Sequence, residues 1–130
     1  MKRLTKRCLI ILTSILLLFS FYCYSGTMLI TKLNQGETIK VPVKQDFTIK
    51  LKANPSTGYD WEILNINKEI IQLKDKSFVI KDSIPGSSGF DFFTFTSLKK
   101  GQSLLKLGQL RSWEGPGSIV DSFSIIVKVQ

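Results

Sequence analysis

The stretch Asp46-Phe47-Thr48-Ile49-Lys50-Leu51-Lys52-Ala53 decides the fold. Successive side chains of an extended chain point to opposite sides, so Phe47, Ile49, Leu51 and Ala53 share one face while Thr48, Lys50 and Lys52 share the other. That is the pattern of an antiparallel strand with one face in a core and one in water. Near the C-terminus, Phe123, Ile125, Val127 and Val129 alternate in the same way with Ser124, Ile126 and Lys128. Shorter runs of the same kind cover residues 28–33, 38–43, 59–64, 70–73 with 77–80, 90–96 and 103–110. Asn34-Gln35-Gly36, Asn54-Pro55, Pro85-Gly86, Lys99-Lys100-Gly101 and Gly115-Pro116-Gly117 punctuate them as turns. Only residues 67–73 offer a helical turn. Seven to eight short strands at this spacing predict an all-β sandwich of antiparallel strands. Trp61 belongs in its core, on an early central strand with Tyr59 and Ile63 on its face.

Ahead of the strands, Lys2, Arg3, Lys6 and Arg7 precede the low-charge run CLIILTSILLLFSFYCYS, residues 8–25. A basic start followed by an apolar segment predicts a secretory signal peptide, with cleavage after Ser25. The run also approaches the roughly 17–25 apolar residues that span a bilayer. An uncleaved anchor formed by residues 8–25 is therefore the alternative, whereas lipid attachment at Cys23 is disfavoured by the bulky Phe21 and Tyr22 before it. The expected domain is residues 26–130, exported to the periplasm or secreted. Both cysteines, Cys8 and Cys23, lie in the leader, so this domain forms no disulfide and holds together by core burial.

The leader also carries four of the 18 basic residues and none of the 10 acidic ones, which leaves the domain a net charge of about +4. That charge is scattered without a basic stripe, so nucleic acid is not an expected partner. The chain has no His, and the domain has no Cys. The commonest general base, metal ligand and thiolate nucleophile are absent, so no Ser-His-Asp or Cys-His triad can be built and no metal or cofactor site is expected. A carboxylate pair is the remaining enzymatic option. Asp60 and Glu62 share a strand face, which is the pattern of a solvated surface, and nothing places them across a cleft as a glycosidase requires.

Three connections are richer than a turn needs. In Asn54-Pro55-Ser56-Thr57-Gly58-Tyr59, Asn54 can cap a turn, Pro55 fixes one backbone angle and Gly58 permits a positive φ. The result is a stiff projecting loop with two hydroxyls near its tip. Gly86-Ser87-Ser88-Gly89 allows close backbone approach to a partner. In Arg111-Ser112-Trp113-Glu114-Gly115-Pro116-Gly117, a Trp between two turn signals falls outside the core, and Arg and Trp are the residue types enriched at binding hot spots. Alternate connections of a sandwich emerge at one end, as antibody binding loops do. The three segments are assigned to the links between the second and third, fourth and fifth, and sixth and seventh strands, which makes the domain a binding module rather than an enzyme.

With these residues in view, the sequence resembles the chagasin-type inhibitors of papain-like cysteine peptidases. That family is marked by NPTTGY followed by Trp, then a GxGG loop, then RPW. Here the first stands as NPSTGYDW, Asn54 to Trp61, the second as GSSG, Gly86 to Gly89, and the third as RSWEGPG, Arg111 to Gly117. Ser88 replaces an expected Gly, and Ser112 an expected Pro. The resemblance spans most of residues 30–130. It implies an immunoglobulin-like sandwich that acts as a monomer and wedges three loops into the cleft of a papain-like, cathepsin L-type peptidase. Asn54 to Tyr59 would cover the enzyme's catalytic cysteine and histidine, with Thr57 at the tip. Gly86, Ser87, Ser88 and Gly89 would lie along one side by backbone contact, and Arg111 and Trp113 would grip the other. The rival reading is an exported adhesion or structural module that uses the same loops on a non-peptidase partner, with membrane contact only through an uncleaved residue 8–25 segment.

Overall fold

The computed structural model describes residues 26–130 apart from Pro85, so the expected leader lies outside the described residues. Eight strands form two four-stranded sheets. They are β1 Met28–Thr31, β2 Thr38–Val41, β3 Asp46–Ala53, β4 Asp60–Asn65, β5 Ile71–Ile80, β6 Gly89–Ser97, β7 Gly101–Leu110 and β8 Asp121–Val129. One sheet runs β1-β3-β6-β5 and the other β2-β8-β7-β4. The sandwich predicted from the alternation is therefore the fold. Two pairings depart from the antiparallel expectation, since β1 lies parallel to β3 and β2 parallel to β8. After β1 the chain crosses from the edge of one sheet to the edge of the other, so both strands run the same way as their neighbours.

The core fills from both inner faces as the period of two requires. Phe47, Ile49, Leu51, Phe93 and Phe95 face Trp61, Leu105, Leu107, Phe123, Ile125 and Val127, all buried. Phe47 and Phe95, directly paired across β3 and β6, stack with ring centroids 5.5 Å apart. Trp61 is buried as expected, although β4 is an edge strand rather than a central one, and its indole Nε1 donates to the Lys52 carbonyl at 3.0 Å, so its polar atom is satisfied while its ring packs. Of its expected face-mates, Tyr59 precedes β4 and, like Ile63, is half-buried.

Other boundaries differ from the sequence reading for identifiable reasons. Residues 32–34 leave β1 as a 3-10 turn, because the Thr31 hydroxyl accepts from the Leu33 amide and Asn34 Oδ1 accepts from the Thr31 amide. Pro42, which has no amide proton to donate, follows the end of β2. The two pieces at 70–73 and 77–80 are one strand, β5, whose register shifts between Leu73 and Asp75 and so breaks the alternation. Within the possible helical turn at 67–73, residues 68–70 form one hydrogen-bonded turn, in which the Ile70 and Ile71 amides both donate to the Asn67 carbonyl at 3.1 Å, and β5 begins at Ile71.

The register fixes which connections share an end. Ala53 and Ile80 both pair with Gly89, Asp60 pairs with Leu110, and Gln109 pairs with Asp121. The β3–β4, β5–β6 and β7–β8 connections therefore emerge together. These are the three rich segments, one connection later than the sequence assignment, because two strands, β1 and β2, precede β3.

Candidate functional site

The β3–β4 connection, loop 1, is a single 3-10 turn, Pro55–Thr57. Pro55 suits its first position, where no amide donor is needed. The Thr57 and Gly58 amides close on the Asn54 and Pro55 carbonyls at 3.2 and 3.0 Å, and the Thr57 hydroxyl donates to the Asn54 carbonyl at 2.7 Å. Asn54 does not cap the turn backbone with its side chain; its Oδ1 accepts from the Ser56 hydroxyl instead. Gly58 ends the turn at φ +80°, the left-handed region that a β-branched residue resists. Ser56 and Thr57 are exposed at the tip, while Gly58 and Tyr59 are half-buried at its base.

Loop 2, residues 81–88, is closed rather than slack. The Lys81 amide donates to the Ser88 carbonyl and the Ser87 amide to the Ile84 carbonyl, both at 3.1 Å. The Ser87 hydroxyl donates to the Asp82 carbonyl at 2.9 Å. Gly86 takes φ +79° and is exposed, with open space where a Cβ would stand. Gly89 plays a different part from the one its motif suggests. It is the first residue of β6, it is buried, and a Cβ there would lie 2.1 Å from the Val79 carbonyl oxygen. Its close backbone approach is to β5 of its own chain. Ser88 has no positive φ, so the backbone does not demand glycine at this departure from the family pattern.

Loop 3, residues 111–120, holds two 3-10 turns, Ser112–Glu114 and Pro116–Ser118. The Ser118 hydroxyl accepts from the Arg111 amide at 3.1 Å and lies within hydrogen-bonding distance of the Arg111 and Gly115 carbonyls, pinning the loop across its neck. Ser112 opens the first turn, a position that proline also fits, so this departure leaves the local geometry intact. Trp113 is 70% exposed and stands outside the core, as expected.

Loop 1 touches both of the others. Arg111 Nε and Nη2 both donate to the Thr57 carbonyl, at 3.3 and 3.0 Å, and the guanidinium lies 4.4 Å from the centre of the Tyr59 ring. Glu114 faces Arg111 Nη1 at 3.4 Å. The Trp113 ring edge abuts Gly58 so closely that a Cβ there would stand 2.8 Å from Trp113 Cη2. On the other flank, the Ser56 hydroxyl reaches the Gly86 carbonyl at 3.4 Å. Arg111 thus turns inward and braces loop 1, a role that loop composition alone does not disclose. Gly58 is required twice, by its φ and by the indole beside it.

Two further residues under this end were not singled out by the sequence. Lys76 of β5 binds both carboxylate oxygens of Asp60 at 2.9 Å, and Asp91 of β6 is buried beside them. Burial, with the charge of Asp60 adding to it, holds the Asp91 carboxyl above the usual carboxylate range. Asp60 is accordingly engaged by Lys76 rather than paired with Glu62. Among the described residues, no group of three or more His, Cys, Asp or Glu side chains could hold a metal ion.

The profile described as "Chagasin family peptidase inhibitor I42" matches residues 40–127, well over half the chain and all three loops. The chain belongs to the chagasin family of peptidase inhibitors. It is 28% identical over 104 residues to chagasin of Trypanosoma cruzi, an alignment that covers 76% of this chain and 94% of that one. Its structure is similar to the crystal structure of a cysteine protease inhibitor from Entamoeba histolytica, with a TM-score of 0.71, 24% identity and coverage of 80% and 96%. It is also similar to PbICP-C, solved in complex with falcipain-2, with a TM-score of 0.58, 19% identity and coverage of 82% and 92%. These neighbours share the immunoglobulin-like sandwich, and the relatives of this family member are inhibitors rather than enzymes.

Proposed function

We propose that this chain is a reversible inhibitor of papain-like cysteine peptidases that occludes the catalytic cleft with three interlocked loops. The observation that carries this reading is the contact set around loop 1, in which Arg111 and Trp113 of loop 3 and Gly86 of loop 2 hold an exposed Ser56-Thr57 tip from both flanks. The complex of PbICP-C with falcipain-2 supports the choice of target class. A loop already held in one shape loses little entropy on docking, and pre-organisation of this kind gives tight binding. Held away from a substrate's extended shape, it also resists cleavage beside the nucleophile. Loop 1 covers the enzyme's cysteine and histidine with Thr57 at the tip. Loop 2 lies along one wall through its backbone at Gly86, Ser87 and Ser88. Trp113 stacks on an enzyme aromatic at the other wall, while Arg111 keeps loop 1 in place. The preferred target is a cathepsin L-type enzyme, the inhibitor acts as a monomer, and residues 1–25 direct its export.

The test is titration of residues 26–130 against papain and a cathepsin L-type enzyme, following residual peptidase activity. Reversible stoichiometric inhibition is the expected result. A folded sample that leaves both enzymes active at micromolar concentration would overturn the reading and favour the adhesion module.

A further inference from the structure

Beneath loop 1, on the side where edge strands β4 and β5 face each other, a cleft of about 410 Å³ opens between Pro55, Gly58, Tyr59 and Phe78. Its floor is polar. Lys76 pairs across strands with the buried Phe93 and so points inward, and its ammonium lies 5.1 Å from the centre of that ring. From there it crosses to the other sheet, donating to both Asp60 oxygens at 2.9 Å and to the Trp61 carbonyl at 3.0 Å. Asp60 and Trp61 are the first residues of β4 and form the root of loop 1. The strand that carries Lys76 runs directly into loop 2. One ammonium therefore links the bases of two inhibitory loops.

The third member is Asp91. It is 4% exposed, and its Oδ2 has no hydrogen-bond partner. Lys76 and Phe78 face it from β5, Leu51 from β3, Asp60 from β4, and Tyr59 lines the same cleft from loop 1. Of the two carboxyls, Asp60 alone bonds the ammonium, and Asp91 lies close enough that its charge is felt by both groups. We propose that Lys76, Asp60 and Asp91 form a positioning clasp that sets loop 1 against loop 2, and that it closes when the carboxyl pair takes up a proton, so that inhibition tightens in acid. This rests on the peptidase-inhibitor reading.

The physical argument is one of competition. With Asp91 ionised, two carboxylates pull on a single ammonium, and a negative oxygen stays buried without a donor. With Asp91 protonated, that cost disappears and Lys76 is left to Asp60 and the Trp61 carbonyl. The sign follows from burial, the largest influence on Asp91, and from the Asp60 charge, both of which raise its pKa, while the Lys76 charge opposes them. A carboxyl held above its unfolded value contributes stability that is complete below the usual carboxylate range and is lost as pH rises through the raised value.

The experiment compares the purified full chain with Asp91→Asn and Lys76→Met, measuring the thermal unfolding midpoint from below the usual carboxylate range to neutrality and the inhibition constant for papain across the part of that range in which the enzyme is active. Asparagine keeps the shape of a neutral Asp91 and cannot ionise. Asp91→Asn is expected to match the parent in acid and to inhibit about threefold or more tightly than it near neutrality, with a higher unfolding midpoint there. Papain's own pH response cancels in the ratio of the two. Lys76→Met is expected to weaken inhibition throughout that range. A ratio of parent to Asp91→Asn that stays constant with pH would overturn the clasp. If the folded parent inhibits at no pH, the peptidase reading falls instead. The clasp is then judged on the midpoints alone, where a gap that opens with pH supports it and parallel curves overturn it.

Discussion

The two ends of the sandwich solve the same problem in opposite ways. At the end away from the loops, connections are short and tied into the core by buried serines. Ser97, fully buried, bonds to the Gln45 amide and to the Pro42 carbonyl, while Ser103 accepts from the Asn67 amide at 2.9 Å. At the loop end, polar groups bond mainly within their own loop, with Arg111 and Ser56 reaching to a neighbouring one, and leave Ser56, Thr57 and Trp113 facing outward. The first arrangement stabilises the fold. The second stabilises a surface shape, and a rigid exposed shape is what a cleft-filling inhibitor requires. Even the carboxylates divide. Asp46, at the far end, is held below the usual range by hydrogen bonds from Lys74 and Thr96, whereas Asp91 at the loop end is raised by burial.

The contrast predicts separable effects. Trp113→Ala, which removes the exposed indole of loop 3, should cost about 2–4 kcal/mol of binding, roughly 30- to 1,000-fold in the inhibition constant, with an unchanged unfolding midpoint. Inhibition as tight as the parent's would show that the indole is not a contact. Gly58→Val should weaken inhibition at least about tenfold, since it both forces a β-branched residue to positive φ and displaces the Trp113 ring. Full inhibition by that variant would show that loops 1 and 3 need not interlock. Ser97→Ala should do the reverse, destabilising the fold by about 1–3 kcal/mol in denaturant titration by stranding buried backbone groups, while leaving the inhibition constant alone. A loss of inhibition there would break the division between the two ends. The smallest expected effect is that of Asp46→Asn. Its lowered carboxyl contributes stability above the usual carboxylate range and loses it as pH falls, so the variant should melt slightly below the parent at neutral pH and equal it in strong acid.

How much of this was legible in the sequence follows the same division. Strands β3 and β8 could be read residue by residue because one face is core and the other water. Strand β5 could not, because it is an edge strand, exposed along nearly all its length and bulged at Leu73–Asp75, so burial imposes no alternation. The parallel placement of β1 and β2 was also hidden, since a side-chain pattern says which face is buried and not which neighbour is paired. The loops announced themselves through Pro55, Gly58, Gly86 and Trp113, residues whose backbone or bulk suits no ordinary turn. What they touch did not. The inward turn of Arg111 toward the Thr57 carbonyl depends on two segments more than 50 positions apart. Asp91 lies within Phe90-Asp91-Phe92-Phe93-Thr94-Phe95, where a polar residue would be placed on the outer face; instead it shares the inner face with Phe93 and Phe95.

The central claim is that the loop end, and no other surface, meets the peptidase. Backbone hydrogen exchange of the chain, alone and saturated with inactivated papain, tests it most directly. The account predicts slowed exchange confined to residues 54–59, 81–88 and 111–118. Protection that instead falls on the β2–β3 and β6–β7 connections, with the three loops unchanged, would contradict it.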